Sequence, residues 1–169
     1  GLSVAGPTGA YEYFAKSASG KVADARATSP SPAVVVVSIL STEGDGTASD
    51  ELIATVNDTL SADDKRPVAD RLTVQSAEIV NYEIDALLYL YPGPESEPIL
   101  SAADDALRAW LAEQGKIGRD VARSAIMAAL HVQGVQRVVL LNPPEDIVID
   151  DTQAARCISH TINVGGTDE

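Results

Sequence analysis

At 169 residues, 45% of them hydrophobic, the chain is long enough for one ordinary domain or two small ones with a buried core. Its 25 acidic residues against 12 basic ones give a formal charge of -13, a field that repels phosphate backbones and anionic headgroups and so disfavours nucleic acid and membrane surfaces as partners. The single cysteine, Cys157, leaves no intramolecular disulfide to form, and no run approaches the ~20 apolar residues of a membrane span.

Aromatic residues make up only 4% of the chain, so a core of small and β-branched side chains is expected. No charged-then-apolar leader opens the sequence, and Gly1 in place of Met points to a tag scar or a piece of a longer chain. From Thr8 to Ala18, the helical spacing of Tyr11, Phe14, Ala15 and Ala18 predicts a short docked helix ending before Gly20. An extended segment through Val22, Ala25 and Ala27 then runs into Ser29-Pro30-Ser31-Pro32, where the prolines favour a turn or a sheet edge. Ala33 to Leu40, AVVVVSIL, is the strongest strand; it is β-branched on both faces and is expected at the centre of a sheet. After the loop STEGDGTASDE, Leu52, Ile53, Val56 and Leu60 mark one face of a helix, with Thr47 and Asp50 placed as a near capping box.

Asp63-Asp64-Lys65-Arg66-Pro67 breaks that helix, and Arg71 to Val80 alternates as a further strand. Glu83 to Tyr91 reads as a long strand with apolar character on both sides, stopped by Pro92-Gly93-Pro94. Ser96 is the expected N-cap of a helix whose stripe is Ile99, Ala103, Ala106, Leu107, Trp110 and Leu111, ended by Gly115. A short helix from Ala125 to His131, capped by Ser124, leads through Gly134 into a strand from Val135 to Leu141. Asn142-Pro143-Pro144 turns the chain, Ile147 to Ile149 is a short extended piece, and Arg156 to Val164 is the closing strand. The fold class is therefore α+β. Two domains of sheets covered by helices are expected, residues 1–80 with the N-terminal helix and residues 81–169, divided near Ile79 to Tyr82.

Motifs for chemistry do not assemble. Gly20-Lys21 lacks the upstream glycine and the following Ser or Thr of a phosphate loop, because Ala15 and Val22 stand there. Glu43, Asp45, Thr47 and Asp50 lack the ligand order of a calcium loop. His131 and His160 have no zinc-motif partners, and the neighbours within Asp104-Asp105 and Asp150-Asp151 do not face one another if helical. The run from Gly118 to Leu140 places Arg119, Asp120 and Arg123 close together, a candidate ion-pair cluster that orients a turn or meets a neighbouring subunit.

Taken in order, SPSPAVVVVSIL, SDELIATVNDTLSADDKRPVADRLTV, the YLYPGP turn, GRDVARSAIMAALHVQGVQRVVL and the ending TQAARCISHTINVGGTDE resemble the baseplate J family of contractile-tailed bacteriophages over essentially the whole chain. The resemblance implies a non-enzymatic wedge component of a tail baseplate, with relatives in tail-like bacteriocins. It also implies no cofactor or metal, and partners that are other wedge subunits and further copies of itself. Its location is then the virion tail baseplate, assembled in the bacterial host cytoplasm, and the chain corresponds to the C-terminal portion of family members. Two other readings stay open at this point. A hydrolase would bring a histidine and two carboxylates into one cleft, and a ligand-binding regulatory domain would carry a preformed apolar pocket.

Overall fold

The four consecutive valines from Val34 to Val37 favour extended backbone, because a side chain branched at Cβ fits the pleat and crowds a helix. In the computed structural model, which describes residues 6–62, 71–93 and 95–167, they open a strand at the centre of a three-stranded sheet. The chain divides into two compact units, one of Gly1–Val80 with Lys116–Gly118 and Ile149–Ala154, the other of Asn81–Gly115, Arg119–Val148 and Ala155–Glu169.

In the first unit, α1 (Gly6–Ala18) is followed by β1 (Val22–Ser31), β2 (Val34–Ser41), α2 (Asp50–Leu60) and β3 (Arg71–Ser76). The central strand β2 is antiparallel to β1 and parallel to β3. Pro30 sits on the edge strand β1, where the register shifts between Thr28 and Ser31, a position that tolerates a missing N–H. Val35, Val37 and Ile39 share one face of β2 and pack with Tyr11 and Ala15 of α1 and Leu52, Val56 and Leu60 of α2. On the other face, Leu40 packs with Ala77, Ile117, Ala154 and Ile79, and the buried Ser38 hydroxyl accepts from Gln75 Nε2 at 3.0 Å. Both faces of β2 are therefore covered, as its sequence requires.

The cap of α2 is not the Thr47 expected. Ser49 Oγ accepts from the Leu52 N–H at 3.1 Å, while Thr47 donates its own N–H to Asp45 Oδ1 at 2.9 Å in the preceding turn. The helix ends at Leu60 with the Ser61 N–H on the Asn57 carbonyl; Asp63 to Pro67, the expected break, lie outside the described residues. The alternation from Arg71 to Val80 is not one strand. It changes partner at Ala77, whose N–H reaches the Ile39 carbonyl at 2.7 Å, and Glu78 opens the next strand without any change in the period-two pattern.

The second unit takes most of β4 (Glu78–Leu90), then α3 (Ser96–Gln114), α4 (Arg123–Leu130), β5 (Val135–Asn142) and most of β6 (Gln153–Thr167), with strands in the order β5-β4-β6. Ile84, Ala86, Leu88 and Leu90 are buried on one face of β4, while Leu87 and Tyr89 on the other are half-buried. Antiparallel pairing sets Leu88 against Val138 on the first face and Tyr89 against Arg137 on the second, where the guanidinium lies 3.8 Å from the ring centroid. On the other side of β4, Ser159 Oγ donates to Glu83 Oε1 at 3.2 Å and Gly165 meets Tyr89, so numbering climbs both strands together and β6 runs parallel to β4.

Of the stripe expected on α3, Ile99, Ala103 and Leu107 are buried and Ala106, Trp110 and Leu111 are half-buried. Ser96 is the first helical residue rather than the N-cap, which is Glu95 with no side-chain hydrogen bond. Gly115 ends the helix with its N–H on the Leu111 carbonyl at 3.3 Å. The short helix α4 begins two residues earlier than its spacing implied, and Ser124 lies within its first turn instead of capping it. Its leading donor is satisfied from outside the helix: the Arg123 N–H reaches Asp146 Oδ1 at 2.8 Å. Gly134 turns the chain into β5 at φ +97, a left-handed conformation that glycine adopts without strain. Ile147 forms only a bridge to Val121, and β6 outruns the expected Arg156 to Val164 at both ends. Among the described residues, four helices with two mixed three-stranded sheets make an α+β fold, in agreement with the expectation from sequence.

Candidate interaction surface

The stretch from Arg119 to Arg123 is held by its main chain and by its arginines. Val121, fully buried, exchanges N–H and carbonyl with Ile147 at 2.9 Å each way. Arg123 carries its guanidinium to the carbonyls of Leu140, at 3.2 Å, and Pro143. Arg119 Nη1 reaches the Glu113 carbonyl at 2.8 Å, placing a cation at the negative end of α3. Gln114 Nε2 donates to the carbonyls of Arg119 and Asp120 at 3.1 and 2.7 Å, which ties the turn to the same helix end. The structure brings Arg119, Asp120 and Arg123 to one segment; Arg119 and Asp120 are exposed, and Arg123 is half-buried against the end of β5.

A second constellation joins residues that the sequence lists separately. His160 Nε2 on β6 lies 2.9 Å from Asp104 Oδ1 on α3, and Arg108 Nε donates to Asp104 Oδ2 at 2.7 Å. The groove around them, about 700 Å³, also presents Glu97, Leu100, Ile158 and Ile162. A histidine and two carboxylates thus share one cleft, but Asp104 has both oxygens engaged. The Arg108 hydrogen bond, and after it the one from His160, hold its carboxyl below the ordinary value of 3.8, which weakens it as a base. Arg108 and Asp104 stand four apart on the helix, the spacing that brings side chains together. Asp104 is not paired with Arg108 in the reading of the sequence, although the spacing is local, and the histidine comes from 56 residues further on.

Because the folded-state pKa of Asp104 is depressed, its ionised form stabilises the fold above pH 3.8, and that contribution is lost as pH falls through the lowered value. Asp104→Asn is therefore expected to destabilise the chain near neutrality, with the difference from the parent shrinking below pH 3.8. Urea midpoints across that range check it; a difference independent of pH would contradict it.

The remaining candidates serve local structure. Asp150 Oδ1 accepts from the Thr152 hydroxyl and N–H, which lower its pKa, while Asp151 pairs with Arg26 at 2.8 Å, so adjacent acids face different partners. Lys21 pairs with Glu43 at 3.7 Å, both exposed. His131 closes α4 through its N–H. Burial pushes the Cys157 thiol up, away from the thiolate that a nucleophile needs. Among the described residues, no three His, Cys, Asp or Glu side chains are grouped to hold a metal ion, and no helix is long and apolar enough to cross a membrane.

Comparison with known proteins adds three findings. Residues 3–76 match the Baseplate J-like central domain, and residues 82–164 match the Baseplate J-like protein C-terminal domain. The chain is 57% identical over all 169 residues to Baseplate protein J of Escherichia phage P2, of whose length it spans 56%. In fold it is similar to a chain of the anti-feeding prophage baseplate, determined by cryo-electron microscopy with six-fold symmetry, at a TM-score of 0.59 and 13% identity over 89% of this chain and 36% of that one. Two successive domain matches, together spanning most of the chain, and 57% identity over all 169 residues show that the chain belongs to the Baseplate J-like family.

Proposed function

We propose that the chain acts as a structural subunit of a phage-type tail baseplate wedge, through protein–protein contacts in baseplate assembly. The observation that carries this reading is the 57% identity to a phage baseplate protein along the whole chain, with central and C-terminal domain matches in the same order. Its partners are other wedge subunits and further copies of itself, its place is the virion tail, and assembly proceeds in the host cytoplasm. It works without catalysis or cofactor: the carboxylate nearest a histidine is committed to an ion pair, and burial pushes the pKa of the one thiol up. Residues 1–80 and 81–169 act as its two domains, in line with the family matches to 3–76 and 82–164.

Within this reading, Arg123 locks the turn before α4, and the exposed Arg119 and Asp120 beside it are offered to a neighbouring subunit. Arg119→Ala then costs only about 0.3–1 kcal/mol of stability, the contribution of an exposed cation at a helix C-terminus, yet weakens association with the adjoining wedge protein in sedimentation. Unchanged association would remove Arg119 from the interface. For the function as a whole, deleting residues 82–164 from the protein that carries this chain should stop baseplate formation; particles with normal tails would overturn the proposal.

A further inference from the structure

The strand β6 is an edge. The order β5-β4-β6 gives it a neighbour on one side, and among the described residues no strand pairs with its outer side beyond the bridge of Ile117 to Ala154 at its start. From Arg156 to Gly166 no residue is buried, and Ile158 and Val164 are 52% and 37% exposed. Alternation puts Ile158, His160, Ile162 and Val164 on one face, the face on which His160 meets Asp104 of α3. That face is mostly apolar, and its one histidine is tied to a carboxylate.

An extended, apolar edge strand is a template for pairing, and natural sheets guard against it with proline, lysine, inward charge or a short strand. Here β6 spans Gln153–Thr167 and contains no proline and no lysine. Charge indicates the occupant. In a chain of net charge -13, two copies repel over most of their surface, yet Gln153–Thr167 contains no carboxylate and only one arginine, Arg156. Along the strand itself a second copy meets no carboxylate, so this edge adds none of its own to that repulsion.

We propose that β6 pairs with β6 of a second copy, antiparallel about a two-fold axis perpendicular to the sheet. Such an axis sets even positions against even positions, so Ile158, Ile162 and Val164 of both copies line one face of a continuous six-stranded sheet. The contact names a self-interface for the baseplate reading and rests on that reading only for its place in a larger assembly. A strand supplied by a different protein is the competing occupant.

Sedimentation equilibrium of the intact chain, with hydrogen exchange at low and high concentration, tests the pairing. The expected result is a reversible dimer in which amides of residues 156–166 gain protection with concentration. Ile158→Lys, at an exposed position, should weaken the dimer about tenfold or more and leave the thermal transition in place. A chain that stays monomeric, protection gained elsewhere, or a dimer indifferent to Ile158→Lys overturns the proposal. Pairing seen only on mixing with another wedge protein also overturns it, in favour of the competing occupant. Incorporation of the chain into tails while it is monomeric in isolation would remove this self-contact and leave the baseplate reading standing.

Discussion

A fragment ending at residue 80 will be less stable than the same residues in the intact chain, by about 3–6 kcal/mol. The first unit includes Lys116–Gly118 and Ile149–Ala154, and cutting the chain removes both. Ile117, 1% exposed, and Ala154, 2% exposed, cover Leu40 and Ala77, so their loss returns an isoleucine's worth of apolar surface to water. Asp24 loses the Ile117 N–H that it accepts at 2.9 Å, and Arg26 loses Asp151 at 2.8 Å and the Ile117 carbonyl at 3.3 Å. Hydrogen bonds to charged groups contribute about 1.5–3 kcal/mol each where sheltered, less where exposed as Asp151 is. Hydrogen exchange at Val37 and Ile39, both fully buried, measures the effect in fragment and intact chain. Equal protection in the two would show that the returning segments contribute nothing.

Gly134→Ala is expected to destabilise the second unit by about 2–4 kcal/mol. Two costs combine there. The backbone sits at φ +97, which an L side chain adopts only under strain, and a Cβ would stand 2.6 Å from Ile99 Cδ1. Ile99 is 7% exposed at the start of α3, so moving aside for the Cβ costs it part of its packing. Gly93 separates the two costs: its φ is +115, but nothing lies within 4 Å of the corresponding Cβ, so Gly93→Ala carries the backbone strain alone, about 1–2 kcal/mol. Thermal unfolding of both variants gives the contact with Ile99 by difference. If Gly134→Ala proves no worse than Gly93→Ala, that contact is absent or easily relieved.

Legibility in the sequence followed the range of the interactions. The valine run specified a central strand because β-branching acts within each residue, and both sides of β2 proved to be covered. The α2 face and the turn at Gly134 were equally local. Errors began where a partner came from elsewhere. Thr47 and Ser49 are both acceptable caps, and only the path of the loop, with Asp45 taking the Thr47 N–H, selects Ser49. Ser124 was a sound cap by type, but Asp146, 23 residues away, already satisfies the first donor of α4. The split at Ala77 leaves no mark on alternation, since a strand that changes sheets keeps its period of two. At the candidate surface, the sequence placed Arg119, Asp120 and Arg123 together, while the carbonyls of Leu140 and Pro143 that receive Arg123 depend on the turn after β5. His160 and Asp104 were each visible alone; their meeting requires α3 to lie against β6.

The most direct test of the baseplate account is to locate the chain in assembled particles. Contractile-tail particles purified from cells making the protein that carries this chain can be labelled with gold-conjugated antibody raised against residues 1–169 and viewed by electron microscopy. The account predicts label confined to the baseplate end of the tail, co-purifying with the particles at a constant ratio. Particles complete with baseplates but free of label, with the protein left in the soluble fraction, would contradict it.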